Sequence, residues 1–204
     1  MKKLFYLFLL SGILVSYSKD SPRVLLYIED NSMQLQYMLI HEVGKMREIL
    51  EHSGFQVSIA TISGEILKTD SMTVKPDLKL SKVNIKDYAG FIMPCMATND
   101  TIVTAEEKNF VKTVISQGKP IAAQLGAIWI LAKAGVLNGK KYALFDDPKN
   151  ESAFKNGIYS GKGVVKDGNV ITSGTCPWMA KETGNKDGTA ELTNTLVAVI
   201  KDKK

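Results

Sequence analysis

The chain has 204 residues, of which 45% are hydrophobic and 23% are charged, which suits one globular domain with an ordinary core. The formal net charge is +5, and removing Lys2 and Lys3 with the amino-terminal segment described next leaves +3. This charge is small and scattered along the chain, so nucleic acid is excluded as a predicted partner.

The amino terminus has the pattern of a secretory signal. A basic start is followed by an apolar run at residues 4–15, which is too short to span a bilayer comfortably. We expect residues 1–18 to be a removable signal peptide and residues 19–204 to form one exported domain, periplasmic or extracellular, without a stable membrane span. An uncleaved membrane anchor is the alternative. A lipid anchor is not expected, because Tyr17 stands where a cysteine would be needed.

Strand and helix patterns alternate along the first part of the chain. The apolar run at residues 23–28 predicts a buried strand, and hydrophobic residues at helical spacing over 35–50 predict an amphipathic helix that ends before Gly54. Residues 55–61 predict a second strand, which completes a unit of the kind that builds parallel sheets. Residues 62–87 have little periodicity and predict a loop or a weak edge hairpin.

The second half of the chain continues this alternation. A capping-box pattern from Thr104 to Glu107 begins a helix that ends near residue 116, and Asp167-Gly168 between two apolar runs is a strong hairpin signal. The other predicted elements are strands at residues 90–93, 121–123, 163–166 and 169–172, and helices at residues 128–134 and 189–201. The pattern predicts an α/β fold, a doubly wound and mostly parallel sheet flanked by helices, of the flavodoxin-like kind.

Four segments are expected to converge at one edge of this sheet, because ligand sites of doubly wound proteins lie at the carboxyl ends of their strands. They are the region around Glu42, the turn at residues 94–98, the strand-to-helix turn at residues 124–126, and residues 174–177 after the hairpin.

Three stretches resemble a known family. Residues 118–132 read GKPIAAQLGAIWILA and continue as AGVLNGK at 134–140, similar to the family patterns GKPVAAICHGPWLLA and AGLLxGK. Residues 88–94 and 165–173 resemble the family's proline-ended strand and its VxDGNLITS hairpin. The chain thus resembles the ThiJ/PfpI superfamily, the class I glutamine amidotransferase-like group of proteases, chaperones, glyoxalases and deglycases, over about residues 23–201. The resemblance also implies a homodimer.

The same register shows where the chain departs from the family. Leu125 stands at the position of the family's elbow cysteine and Gly126 at that of the following histidine, while Cys95-Met96 replaces a glycine pair. The family cysteine supplies a reactive thiolate, for which leucine has no substitute. Glu42 matches the family glutamate that hydrogen-bonds this cysteine. Glu42 is either a buried carboxylate with a raised pKa or a solvated helix residue, and the sequence leaves both possibilities open.

The two cysteines, Cys95 and Cys176, are predicted to lie on loops at the same sheet edge. A disulfide, two free structural thiols and a relocated nucleophile at Cys95 all remain open, because sequence does not give the distance between the Cα atoms. His41 and His52 are the only histidines, and no histidine or cysteine pair has ligand spacing, so neither a metal nor a cofactor is predicted.

Three functions follow from these observations. The leading hypothesis is a binding module for an unknown small molecule or protein, which has lost the chemistry of the elbow cysteine. The second is a hydrolase or glyoxalase that uses Cys95 as nucleophile and Glu42 as proton acceptor. The third is a redox-active Cys95–Cys176 pair. The predicted pocket consists of Glu42, Cys95, Met96, Leu125, Gly126, Cys176 and Trp178.

Overall fold

A computed structural model describes residues 21–30, 32, 34–95 and 102–203. The predicted signal peptide and Met96 lie outside these residues. No helix within the described part of the chain is long and apolar enough to cross a membrane.

The described strands are short and follow the predicted order. They are β1 (Arg23–Tyr27), β2 (Gln56–Thr61), β3 (Leu67–Lys68), β4 (Thr73–Val74), β5 (Leu78–Lys79), β6 (Gly90–Met93), β7 (Ile121–Gln124), β8 (Lys141–Tyr142), β9 (Ile158–Tyr159), β10 (Val164–Asp167) and β11 (Val170–Ser173).

The α-helices are α1 (Leu35–Met38), α2 (Gly44–His52), α3 (Ala105–Ser116), α4 (Ile128–Lys133), α5 (Pro177–Thr183) and α6 (Thr189–Lys201). A π-helical turn at Leu39–Val43 joins α1 to α2, and 3-10 turns lie at Leu80–Lys82, Ile85–Asp87, Leu125–Ala127 and Ser152–Phe154. The Thr104 hydroxyl accepts the amide of Glu107, whose carboxylate in turn accepts the amide of Thr104, so the predicted capping box of α3 is confirmed.

Seven of the described strands form one sheet in the order β10-β11-β7-β6-β1-β2-β5. All neighbours are parallel except β10 and β11, which form the predicted hairpin. The chain builds outward from β1 through β2 to β5, and then crosses back to add β6 and β7 on the other side of β1. The strand order therefore reverses between β1 and β6, and the crevice at the carboxyl ends of these strands is where such folds place their sites.

Side chains of β1 alternate between two hydrophobic layers, as the two-residue period of a strand requires. Leu25 and Tyr27 pack in the layer beneath α3 and α4, while Val24 and Leu26 pack in the layer beneath α2 and α6. The sheet is thus covered on both faces, and the predicted doubly wound architecture is confirmed.

Residues 62–87 contain more structure than the sequence predicts. The expected weak hairpin is present as the antiparallel pair β3–β4, and β5 adds a parallel edge strand to the main sheet through Ala60 and Leu78. The short strand pair β8–β9 and the helix α5 were not predicted either. Each of these elements is too short for a periodic pattern to show.

Candidate functional site

Glu42 lies in the π-helical turn that joins α1 to α2, and its side chain is buried, with 1% exposure. A π turn inserts an extra residue into a helix and is frequently found at functional sites. Glu42 is therefore a buried carboxyl group and not the solvated helix residue that the sequence also allowed. The carboxyl group contacts Cys95, which lies two residues beyond the end of β6.

The Glu42 carboxyl group has one partner and one unpartnered oxygen. Its Oε1 accepts a hydrogen bond of 2.6 Å from the backbone N–H of Cys95, whereas its Oε2 is buried without a hydrogen-bond partner among the described residues. Burial raises the pKa of this carboxyl well above its usual range, and the negative charge of Cys176 raises it further. The protonated form of Glu42 is therefore favoured relative to that of an exposed glutamate.

Cys95 and Cys176 are both buried, and both are free thiols. Their sulfurs and a carboxylate oxygen of Glu42 lie within 4.8 Å of one another. Cys95 is the second residue after the end of β6, and Cys176 is the residue that precedes α5. The predicted convergence of the two loops is thus found, without the disulfide that the sequence left open.

The two thiols are electrostatically different. The pKa of Cys176 is lowered to about 7. A hydrogen bond from Cys95 is the largest cause, and the amides of Met179 and Trp178 at the start of α5 also contribute. The same hydrogen bond, burial and the nearby Glu42 raise the pKa of Cys95 well above its usual range. Cys176 is therefore the more readily ionised thiol of the pair, and Cys95 donates the hydrogen bond.

The turn after β7 has a left-handed backbone at Leu125 and no thiol at that position. Leu125 has φ of 40°, and it is the one non-glycine residue with positive φ in the described part of the chain. Such a backbone costs free energy and persists only where the surroundings impose it. The amide of the next residue, Gly126, interacts with Cys95 and lowers the pKa of that thiol. The Leu125 side chain is half-buried and packs against the hydrophobic layer of α3 and α4.

A buried polar network that the sequence analysis missed fixes the loop of Cys176. Gln124 donates to the carbonyl oxygen of Thr175 at 2.7 Å and to the hydroxyl of Thr189 at 3.1 Å. Thr189 in turn donates to Asp187 at 2.7 Å. Gly174 allows the loop to approach the rest of the chain, because a Cβ there would lie 2.5 Å from the carbonyl carbon of Leu144. Gln124, next to the elbow position, was the sequence signal for this network, because a buried side-chain amide needs hydrogen-bond partners.

The remaining predicted residues lie at the margin of the cluster or away from it. Trp178 is half-buried and packs edge-on against Tyr37, with ring centroids 5.2 Å apart. His41 is exposed and stacks on the same tyrosine at 4.3 Å, so it does not pair with Cys95. His52 is exposed at the carboxyl end of α2.

The structure brings together possible metal ligands that spacing along the chain does not indicate. Spacing along the chain offered no ligand pair, yet the fold gathers Glu42, Cys95 and Cys176 into a group whose atoms could hold a metal ion. The three residues lie on separate segments, so their proximity depends on the sheet topology and not on any local motif.

A doubly wound, mostly parallel sheet, with a buried acid in the helical segment after β1 and a positive-φ turn after β7, defines a flavodoxin-like α/β protein. The DJ-1/PfpI family model matches residues 22–181, and the chain belongs to this family. The predicted ThiJ/PfpI resemblance is thus confirmed.

Relatives of known sequence and structure agree with this assignment. A deglycase of Pyrococcus horikoshii is 29% identical over 126 residues, which cover 61% of this chain and 76% of the relative. An uncharacterized protein of Archaeoglobus fulgidus is 28% identical over 153 residues, covering 74% of this chain and 88% of the relative. The crystal structure of Drosophila melanogaster DJ-1beta matches with a TM-score of 0.62 and 25% identity, covering 90% of this chain and 97% of that chain.

Proposed function

We propose that this chain is an exported DJ-1/PfpI-family protein in which the chemistry of the elbow thiol has been lost and a redox-active Cys95–Cys176 pair has replaced it. The observation that carries the proposal is the proximity of the two free thiols, whose sulfurs lie within 4.8 Å of each other and of a carboxylate oxygen of Glu42; the lowered pKa of Cys176 supports it. Among the three functions considered from sequence, this geometry favours the redox pair.

A Cys95 nucleophile has less support. Its pKa is raised, so its thiolate fraction near neutral pH is small, and the oxygen of Glu42 that contacts this residue accepts the backbone N–H instead of the thiol proton. A purely binding function explains Leu125, but it gives no role to the low pKa of Cys176. The deglycase activity for which the Pyrococcus relative is named would need a thiol that Leu125 cannot supply.

The redox reaction begins at Cys176, with a small hydroperoxide as oxidant. Its thiolate attacks one peroxide oxygen, the O–O bond breaks, and the sulfur becomes a sulfenic acid. The leaving oxygen takes a proton, which the protonated Glu42 is placed to supply. The Cys95 thiol then attacks the Cys176 sulfur, forms the S–S bond and releases water. An external dithiol then reduces the Cys95–Cys176 disulfide by thiol–disulfide exchange, which restores both thiols and leaves the external dithiol as a disulfide.

The distance that the sulfurs must travel is small. A disulfide bond is about 2 Å long, and the sulfurs now lie within 4.8 Å, so they need to close by less than about 3 Å. Rotation of the two side chains supplies movements of this size. At an exported location the disulfide form of the pair would persist, because disulfides are stable outside the cytosol.

The test is a redox titration of the purified protein in buffers of graded dithiol-to-disulfide ratio, followed by alkylation and mass measurement. The chain has only two cysteines, so the thiol count is unambiguous. We expect one two-electron transition, in which the protein changes from two free thiols to none. Cys95→Ser or Cys176→Ser should abolish it, and a protein that keeps two free thiols in the most oxidising buffers would refute the proposal.

The loss of elbow chemistry is tested separately with peptides, methylglyoxal and glycated amines. We expect no turnover above the uncatalysed rate. Turnover that disappears in Cys95→Ser would instead establish the relocated nucleophile.

A further inference from the structure

The strongest remaining feature is the unpartnered oxygen of Glu42. Glu42 Oε2 is buried with no hydrogen-bond partner among the described residues, and a buried polar atom of this kind is costly unless a ligand satisfies it. Two cysteine sulfurs lie within 4.8 Å of this carboxylate. We propose that Glu42, Cys95 and Cys176 form a zinc site, which ligates Zn²⁺ through one carboxylate oxygen and two thiolate sulfurs.

The chemistry of the donors selects zinc. Thiolate ligands favour zinc over calcium and magnesium, which take oxygen ligands almost exclusively. A tetrahedral zinc ion with ordinary Zn–S and Zn–O bonds holds such donor atoms roughly 3.5 to 3.8 Å apart. The donor atoms here are at most 4.8 Å apart, so side-chain movements of about 1 Å bring them to bonding distance. The positive ion also compensates the negative charges that burial otherwise makes costly.

The groups around the donors already have the arrangement of a second coordination shell. The Cys95 amide holds Oε1 of Glu42 at 2.6 Å, which leaves Oε2 free for the ion. The amides of Gly126, Trp178 and Met179 interact with the two sulfurs. Such outer contacts orient metal ligands and tune their basicity. With three protein ligands, the fourth zinc position is open to water or to a substrate, as in catalytic zinc sites.

This proposal uses the same thiols as the proposed redox pair, but it does not rest on their redox function. A disulfide removes two of the three ligands, so the oxidised protein cannot bind zinc in this way. Zinc-bound thiolates are likewise protected from forming the disulfide. Zinc binds the deprotonated forms of these ligands, so its binding releases protons to solvent.

The test is a zinc titration of the reduced, chelator-treated protein in competition with a chromophoric chelator. We expect one zinc per chain, and Co²⁺ in place of zinc should give thiolate-to-cobalt charge-transfer absorption. Cys95→Ser and Cys176→Ser should each lower the zinc affinity by at least about 100-fold, and Glu42→Gln by about tenfold or more. The control is His52→Ala, which removes an exposed histidine at the far end of α2 and should leave the affinity unchanged.

Circular dichroism of each metal-free variant separates loss of the site from loss of the fold, and a variant that loses affinity while folded supports the site. No zinc binding by the reduced wild-type protein, or binding unchanged in Cys176→Ser, would overturn the proposal. The disulfide is measured in metal-free buffer, so failure of the zinc site and failure of the redox pair are distinguishable.

Discussion

At the scale of single residues, the strained backbone and the thiol with the lowered pKa lie at different positions. Leu125 has a positive φ in the turn after β7, while Cys176 has the lowered pKa and lies on another loop. The family register of Leu125, Gly126 and Glu42 was readable from sequence because it rests on local motifs. The pairing of Cys95 with Cys176 was not, because it depends on which strands neighbour each other in the sheet.

The low pKa of Cys176 should depend on a donor at position 95. In Cys95→Ala the largest cause of the shift is removed, and we expect the pKa of Cys176 to rise from about 7 toward 9.0. In Cys95→Ser a hydroxyl donor remains, so the pKa should stay closer to about 7. Ultraviolet thiolate absorbance against pH measures both variants, each of which has one cysteine. A titration midpoint that stays at about 7 in Cys95→Ala would show that the Cys95 thiol does not stabilise the Cys176 thiolate.

The backbone of Leu125 should be strained. Leu125→Gly relieves a positive-φ cost of about 1 to 2 kcal/mol, but it loses the contacts of a half-buried side chain and adds chain entropy to the unfolded state. These effects nearly cancel, so we expect the free energy of unfolding to change by less than about 1 kcal/mol. Leu131→Ala, in the buried face of α4, should cost about 2 to 5 kcal/mol. Urea denaturation compares the two, and a large loss in Leu125→Gly would contradict the strain.

At the scale of elements, the helices with complete local signals were predicted well. The capping box located the start of α3, and the hydrophobic spacing of α6 gave its bounds of Thr189–Lys201. The helix over 35–50 was expected to be regular, whereas the structure has a π turn at Leu39–Val43. That turn buries Glu42 against Cys95, a tertiary contact that helical periodicity does not report.

A second buried acid cluster joins the end of β1 to α3. The Tyr27 hydroxyl contacts Glu107 at 2.9 Å and Glu29 at 3.3 Å. Burial, followed by the charge of Glu107, raises the pKa of Glu29 to about 7. The folded state thus keeps a proton on Glu29 that the unfolded state loses at lower pH. This contribution to stability is full below the unfolded pKa of 4.5 and is lost as the pH rises through about 7.

Glu29→Gln should remove this pH dependence. Relative to wild type, we expect the variant to gain stability between pH 5 and pH 7 by about 1 kcal/mol, a value reduced for solvent screening at this half-buried position. Chemical denaturation at several pH values measures the difference. The matched control is Glu65→Gln, an exposed carboxylate on a loop, which should follow the wild-type curve. Parallel curves for Glu29→Gln and wild type would show that Glu29 does not hold the proton.

At the scale of the whole molecule, the topology creates the site. β6 and β1 are neighbours although they are distant in the chain, and α5 follows β11 on the far side of β7. Three separate segments therefore bring Glu42, Cys95 and Cys176 together. The doubly wound class was predictable because its strands and helices alternate in sequence. The homodimer and the export remain predictions, which sedimentation velocity and amino-terminal sequencing of the secreted protein would test.

The central claim is that Cys95 and Cys176 react with each other. The most direct measurement is peptide mapping by mass spectrometry after the reduced, metal-free protein has been treated with one equivalent of hydrogen peroxide. We expect a linked peptide pair that contains Cys95 and Cys176, lighter by two hydrogen atoms, which separates into its two peptides on reduction. A peptide with Cys176 oxidised to sulfinic acid beside an unmodified Cys95, or two unmodified thiols, would contradict the account.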